Sequence, residues 1–383
     1  MCKRCSNTAS LDTLAQLAND SHNTIDNQEF GKLEKTTKKE DKRVLQNRAK
    51  RKYLSQSLSL GLVKATEIKH EKILQKVKKE GWTDQNLKDF NENVQARKSY
   101  WNMYHCAGEL VKEGEKVTGK YCKNRTCMVC NSIRTAQNLN KYKPVLEAWS
   151  DTMYMVTLTI PNCSARKLKD SVDEMFKLFT RIKNTLRERH RKGKGVKFEG
   201  IRKFECTYNP TRRDYHPHFH ILVSNQEAGE ELLNQWLKKT RRLGTKRIAQ
   251  DIRKADSNSA IELFKYFTKV VNSPSKTGGE RAIYVEALDN IFKAVKGKRT
   301  FQTFGFKLSD YVEEKVEQEQ EEEEAEPISD HFPETYKWHQ ELADWVSTST
   351  GELLSNYKLS ESIEEISKKI ILPKQGNTKP PPT

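Results

Sequence analysis

Apolar and polar positions alternate most clearly between residues 136 and 307. Tyr154 to Ile160 (YMVTLTI) is a β-branched and aromatic run closed by Pro161-Asn162, which predicts a strand. Leu168, Val172, Met175, Phe179, Ile182 and Leu186 recur at spacings of three and four, which predicts an amphipathic helix. Phe198 to Tyr208 and Phe219 to Val223 predict two further strands, joined by the turn-rich link Asn209-Pro210-Thr211-Arg212-Arg213-Asp214. Helices are predicted around Leu232 to Leu237 and from about Ser259 to Val271. Strands and helices intermixed, with an antiparallel pair in the middle, favour an α+β fold over a doubly wound parallel one: an antiparallel sheet covered by helices.

Outside that segment the pattern weakens. Residues 1–100 read as a basic, partly helical N-terminal arm, with Lys38-Lys39-Glu40-Asp41-Lys42-Arg43 and Lys50-Arg51-Lys52 as its charge runs and Ile73, Leu74 and Val77 as one apolar stripe. It is either a DNA-contacting arm or a partly ordered, solvated helix. Residues 101–135 hold four cysteines and form a separate small element, and 136–307 form the main domain. Residues 308–383 read as a flexible acidic tail. Within it Glu313 to Glu326 is an extended linker or a charged helix. Trp338, Leu342 and Trp345, then Ile363, Ile366 and Ile370, suffice for one or two small helices, and Lys379-Pro380-Pro381-Pro382-Thr383 cannot fold by itself.

Charge sharpens this division. The chain has 383 residues, 35% hydrophobic and 32% charged, with a formal net charge of +17. From residue 308 onward 18 acidic residues face 7 basic ones, so residues 1–307 carry +28. Such an excess points to an anionic partner, nucleic acid being the commonest, or to a basic surface kept for solubility. No stretch approaches the roughly 20 apolar residues of a bilayer span. Met1-Cys2-Lys3-Arg4-Cys5 is followed by polar sequence rather than an apolar signal core. The expectation is a cytoplasmic protein with no membrane partner, whose eight cysteines are metal ligands or core thiols rather than disulfides.

Three groups of residues carry candidate chemistry. In His216-Pro217-His218-Phe219-His220-Ile221-Leu222-Val223, strand alternation puts His218 and His220 on one face, about 7 Å apart. They can converge on one divalent ion, manganese or magnesium, with Glu205 of the preceding strand as third ligand. Otherwise they are satisfied polar residues on an exposed strand face. His216 lies before Pro217, outside the expected strand. In the second group Ala260, Leu263, Phe264, Phe267 and Val271 make an apolar stripe, leaving Glu262, Tyr266 and Lys269 on the other helix face. A phenol of pKa near 10 needs help to act as a nucleophile, and a metal and a nearby Lys supply it. The plain alternative is a surface tyrosine contacting Glu262. Lys265 is a candidate DNA contact. In the third group Cys122, Cys127 and Cys130, with Cys106 upstream, suit tetrahedral zinc. Four thiolates leave no open position, so that zinc is structural; His105 is a less favoured substitute ligand. Lys123, Arg125 and Arg134 are candidate phosphate contacts. Cys163 and Cys206 read as core thiols, while Cys2 and Cys5 are unassigned.

The order of these pieces resembles a known family. Val156-Thr157-Leu158-Thr159, then His-Pro-His-Phe-His, then Glu262-x-x-x-Tyr266 is similar to the rolling-circle replication initiators of small plasmids, histidine–hydrophobe–histidine (HUH) endonucleases with one catalytic tyrosine. Tyr208-Asn209 up to His218 and Gln302-Thr303-Phe304-Gly305 look like the same branch, and the resemblance covers roughly residues 100–307. It implies the HUH fold, with the histidines on a central strand and the tyrosine on a helix facing it, and a zinc-ribbon-like element beside it. It implies His218 and His220 as metal ligands, Tyr266 as the nicking residue, Glu262 as activator of water at termination and Lys269 as support. The expected partners are plasmid origin DNA, single-stranded or hairpin at the nick, a host helicase and DNA polymerase, and a second copy of the chain as a candidate. The long arm and acidic tail depart from the family pattern. A mobilisation relaxase or transposase with the same histidine pair, and a non-catalytic zinc-containing DNA-binding regulator, are the competing readings.

Overall fold

The computed structural model describes residues 38–114, 116–256, 259, 263, 282–311 and 333–373. Its elements in chain order are α1 (Lys38–Glu80), α2 (Asp84–His105), β1 (Glu109–Glu113), β2 (Lys116–Gly119), α3 (Met128–Ala148), β3 (Tyr154–Thr159), α4 (Ala165–Arg191), β4 (Gly200–Asn209), β5 (Asp214–Val223), α5 (Gln226–Thr240) and β6 (Asp251–Lys254). There follow β7 (Ile283–Tyr284), α6 (Val285–Ala294), β8 (Phe301–Phe304), β9 (Glu334–His339), β10 (Asp344–Ser347), α7 (Glu361–Lys368) and β11 (Ile370–Ile371). The fold is α+β, and its two larger sheets are antiparallel throughout. The described residues form two compact units, one of 133–263 and 294–311, the other of 38–132, 282–293 and 333–373. Among the described residues no helix is long and apolar enough to cross a membrane.

The first unit is built on a five-stranded sheet of order β6-β3-β5-β4-β8. Strand alternation gives its two faces different work. Val156, Leu158, Phe204, Phe219 and Ile221 share one face and are fully buried. Against that face α4 lays the stripe Leu168, Val172, Met175, Phe179, Ile182 and Leu186, each side chain contributing about 1.5–3 kcal/mol of burial. Trp236 of α5 is also fully buried, and its Nε1 donates to Thr159 O at 3.0 Å. Arg202 enters this apolar layer beneath the rings of Phe176, Phe179 and Phe219, 4.6–4.8 Å from their centroids. Its Nη2 donates to Arg299 O, and burial lowers its pKa to about 9.

On the other face Met155, Ile201 and Leu222 pack with Ala136, Leu139, Val145 and Leu146 of α3, with Trp149, Ala255 and Leu263. The next residues along β3 and β5 on this face are Thr157 opposite His220 and Thr159 opposite His218. The face therefore passes from apolar core to polar side chains in two residues. Gly305 ends β8 with φ +85°, and a Cβ there would sit 2.1 Å from Phe198 O, so no side chain fits.

β5 begins earlier than its apolar pattern predicts, at Asp214, so His216 and Pro217 are strand residues opposite Thr207 and Cys206. This corrects the placing of His216 outside the strand. Tyr215 exchanges both backbone hydrogen bonds with Cys163, so alternation points the Pro217 nitrogen to the same side. There β3 has already ended at Thr159, and the missing N–H interrupts no ladder bond.

In the second unit α1 is a core helix along 44–65: Val44, Leu45, Ala49, Leu58, Leu62 and Val63 are buried. Thr83 caps α2 by accepting from Asn86 N, Asn93 of α2 donates to Thr66 O, and Tyr100 donates to Asp289 Oδ1 at 2.6 Å. The four-stranded sheet has order β10-β9-β1-β2. The segment with Trp338, Leu342 and Trp345 is thus a hairpin rather than the expected helix. Trp338 and Trp345 are directly opposed cross-strand partners, with ring centroids 4.8 Å apart, and Leu342 lies exposed in the turn. The cross-strand pair buries Trp345 completely, and its Nε1 donates to Ala107 O at 2.7 Å. Ile363 and Ile366 do lie on a short helix, α7, whereas Ile370 pairs in β11 with β7. Glu313 to Glu326 lies outside the described residues.

Candidate metal centres

The β4–β5 register sets Glu205 opposite His218 and Lys203 opposite His220. Both histidines turn Nε2 toward one carboxylate oxygen, Glu205 Oε2, at 3.5 Å from His218 and 3.6 Å from His220. Each Nδ1 has its own partner: His218 donates to His216 O at 3.0 Å, and His220 lies 3.2 Å from Thr157 Oγ1. A ring nitrogen held in this way fixes tautomer and ring orientation and leaves Nε2 as a ligand atom. One atom from each of Glu205, His218 and His220 lies within 4.8 Å of the other two, a two-nitrogen, one-oxygen donor set that fits a divalent cation.

Lys203, which sequence reasoning missed, is part of this group. Its Nζ is 2.5 Å from Glu205 Oε1, with Lys203 buried and Glu205 nearly so. Burial pushes the Glu205 carboxyl up, but Lys203 first and then the two imidazoles outweigh it and hold the group well below the usual carboxylate range. The signal was present as Lys203-x-Glu205, two strand positions apart and so on one face. Thr159, one pair beyond Thr157, is tied by Gln250, which accepts from Thr159 N and donates to its Oγ1. Beside the histidines, His216 Nδ1 meets Asn162 Oδ1 at 2.8 Å, and Asn162 in turn donates to Asp214, which pairs with Arg212. Burial, with the His218 charge next to it, lowers the His216 pKa to about 4. These side chains line an open cavity of about 420 Å³ with Tyr208 and Asn209.

The second unit brings Cys106, Cys122, Cys127 and Cys130 together, one sulfur of each within 4.8 Å of the others. Cys106 and Cys122 flank the β1–β2 hairpin, while Cys127 immediately precedes α3 and Cys130 lies in its first turn. Hydrogen bonds from Cys106, Cys122 and Cys130 lower the Cys127 pKa, with a further bond from the Cys130 backbone. Cys122 N donates to Cys106 Sγ at 3.4 Å. Ala107 and Lys123, each directly after a cysteine, take φ of 52° and 54°, turning the chain so that the thiols converge. His105 is exposed and stacks on Trp101, outside the cluster. Cys163 and Cys206 are buried as core thiols.

Of the remaining sequence candidates, Lys123 and Arg125 are exposed and Arg134 is half-buried. Tyr266, Glu262, Lys265 and Lys269 lie outside the described residues. Asp256 Oδ1 accepts from Ser259 N and Oγ in the manner of a helix start, and Leu263 is buried in the core cluster on the histidine face.

Fold and site together define an α+β protein with a two-histidine, one-carboxylate centre on an antiparallel sheet and a separate four-cysteine centre. Residues 115–229, which include Glu205, His218 and His220, match the family model described as "Replication protein". The chain is 28% identical over 167 residues to a "Protein rep" of Staphylococcus aureus, covering 39% of this chain and 69% of that protein. It is 27% identical over 110 residues to "Protein rep" of Streptococcus pneumoniae serotype 2, covering 27% of this chain and 32% of the relative. For "Protein rep" of a Bacillus species the figures are 28% over 130 residues, 31% and 40%. The chain thus spans about a third to two-fifths of the latter two relatives. No solved structure matches. Across residues 115–229 the chain is similar to replication proteins of the Rep type.

Proposed function

We propose that this protein initiates rolling-circle replication of a plasmid by binding its origin and nicking one strand through Tyr266. The observation that carries the reading is the convergence of His218 Nε2 and His220 Nε2 on Glu205, within the family-matched segment. A divalent ion held by these three residues, manganese or magnesium, would polarise the scissile phosphate. The Tyr266 oxygen then attacks phosphorus, a 5′-phosphotyrosine bond forms, and the 3′-oxygen leaves and takes a proton to become a primer hydroxyl. The ester is close in energy to the bond broken, so strand transfer and closure need no ATP. Glu262 activates water or a second transfer at termination, and Lys269 stabilises charge in the transition state. Lys123, Arg125, Arg134 and Lys265 are the proposed backbone contacts to origin DNA, and a host helicase and polymerase would follow the nick. The four cysteines are proposed to hold a structural zinc, since four thiolates, all within 4.8 Å of one another, would leave no open position on a tetrahedral ion.

The test is nicking of supercoiled plasmid carrying the origin, with manganese. Tyr266→Phe should abolish both the open-circular product and the covalent protein–DNA adduct. Undiminished nicking by this variant would refute the assignment. Nicking only at a transfer origin or at transposon ends would point to a relaxase or transposase instead.

A further inference from the structure

Two cations of the long helix α1 are buried beside the four cysteines. Lys52 and Arg48 are each 1% exposed, and with Ser55 they recur at spacings of four and three, on one helix face. Ser55 Oγ lies 3.8 Å from Cys127 Sγ, which places this face against the thiols. Lys52 Nζ donates to Tyr104 O at 2.6 Å, two residues before Cys106, and lies 6.0 and 5.9 Å from the ring centroids of Tyr104 and Trp338. Burial lowers its pKa to about 8, and the nearby Cys106, Cys127 and Cys122 work against that shift. Burial pushes the Tyr121 hydroxyl up, and the Arg48 guanidinium works against that shift. A buried ammonium needs an anionic counterpart, and neutral thiols do not supply one. A zinc ion bound by four thiolates does, because its net charge is −2.

We propose that Lys52 is the counter-charge of a zinc–tetrathiolate centre, so that zinc occupancy fastens the N-terminal helix α1 and the C-terminal β9–β10 hairpin onto the cysteine segment. The hairpin belongs to the same clasp through three bonds. Trp338 N donates to Gly108 O, Trp338 Nε1 to Gln56 Oε1 of α1, and Trp345 Nε1 to Ala107 O, next to Cys106. Three segments distant in sequence thus meet at one centre. The arrangement makes zinc a switch for the order of α1 and the β9–β10 hairpin, separate from the proposed divalent ion of the nicking site. It goes beyond the nicking reading and does not depend on it.

The experiment uses the full-length protein, its zinc content measured and then varied by chelation and titration. One zinc per chain is expected, and removing it should speed amide exchange in peptides covering 44–63 and 334–347 together. Lys52→Met, which keeps the length of the aliphatic stem and removes the charge, should weaken zinc binding about 10–100-fold, as loss of a supporting partner does at metal sites. It should lower the melting temperature of the zinc-loaded protein but not that of the zinc-free protein, where Lys52 has no counter-charge to lose. A packing role alone would lower both. Absence of zinc, unchanged exchange in 44–63 on chelation, or wild-type zinc affinity in the variant would each overturn the proposal. Chelation tests the clasp in the wild-type chain even if the variant folds poorly.

Discussion

Replacing Lys203 by Met removes the ammonium that lies 2.5 Å from Glu205 Oε1, where the two side chains are only 4% and 13% exposed. Deleting one member of a buried pair costs about 3–5 kcal/mol, because the other charge is left in a poorly solvated site. Here His218 and His220 still face the carboxylate at 3.5 and 3.6 Å, and Glu205 can take up a proton. The expected loss in the absence of manganese or magnesium is therefore smaller, about 2–3 kcal/mol. A divalent ion held by these three side chains would bring positive charge back to the carboxylate. With saturating manganese the loss should shrink below about 1 kcal/mol, and manganese should bind the variant at least about tenfold more tightly, the repelling ammonium being gone. Hydrogen exchange of the β4 and β5 peptides reads the local stability with and without manganese, zinc being kept constant, and calorimetric titration reads the affinity. A loss of under about 0.5 kcal/mol without manganese, or an equal loss with it, would refute the charge-sharing account of this site.

Three further outcomes follow from the same geometry. His216 has a folded pKa of about 4 against an ordinary value near 6.5, so its contribution is fully present above pH 6.5 and is lost as pH falls toward 4. Unfolding free energies from urea titrations at pH 7.5 and 5 should differ by about 1–2 kcal/mol more in the wild type than in His216→Gln, after allowance for the screening of a partly exposed ring; equal pH dependence would exclude His216 as the titrating group. Gly305→Ala should destabilise the first unit by more than about 2 kcal/mol, because φ is +85° and the new Cβ would meet backbone at 2.1 Å; a melting temperature within a degree of wild type would contradict the packing at Phe198. Trp236→Phe removes the indole donor to Thr159 O and should cost about 2 kcal/mol, with manganese affinity reduced if the end of β3 positions the site; unaltered chemical stability would count against that bond.

Local pattern alone settled a good part of this protein. Period-two alternation put His218 and His220 on one strand face and proposed Glu205 as their companion, and period 3.6 outlined α4 down to its buried stripe. These features depend on a residue and its near neighbours, which is the range that pattern reading covers. Three features depended on partners far away in the chain. Pro217 could enter β5 because β3 stops at Thr159, which no feature of residues 214–223 reveals. Lys203 was legible as a strand residue but not as the charge that sets Glu205, since that depends on the burial of both. The basic run through Lys50-Arg51-Lys52 read as a DNA-contacting arm or a partly ordered, solvated helix, and the tryptophans of the acidic tail looked helical. Tertiary structure instead buries Lys52 of the first beside four thiols and pairs the second across a hairpin next to β1. A buried charge or a strand register is decided by its counterpart, and the counterparts here lie up to some three hundred residues away.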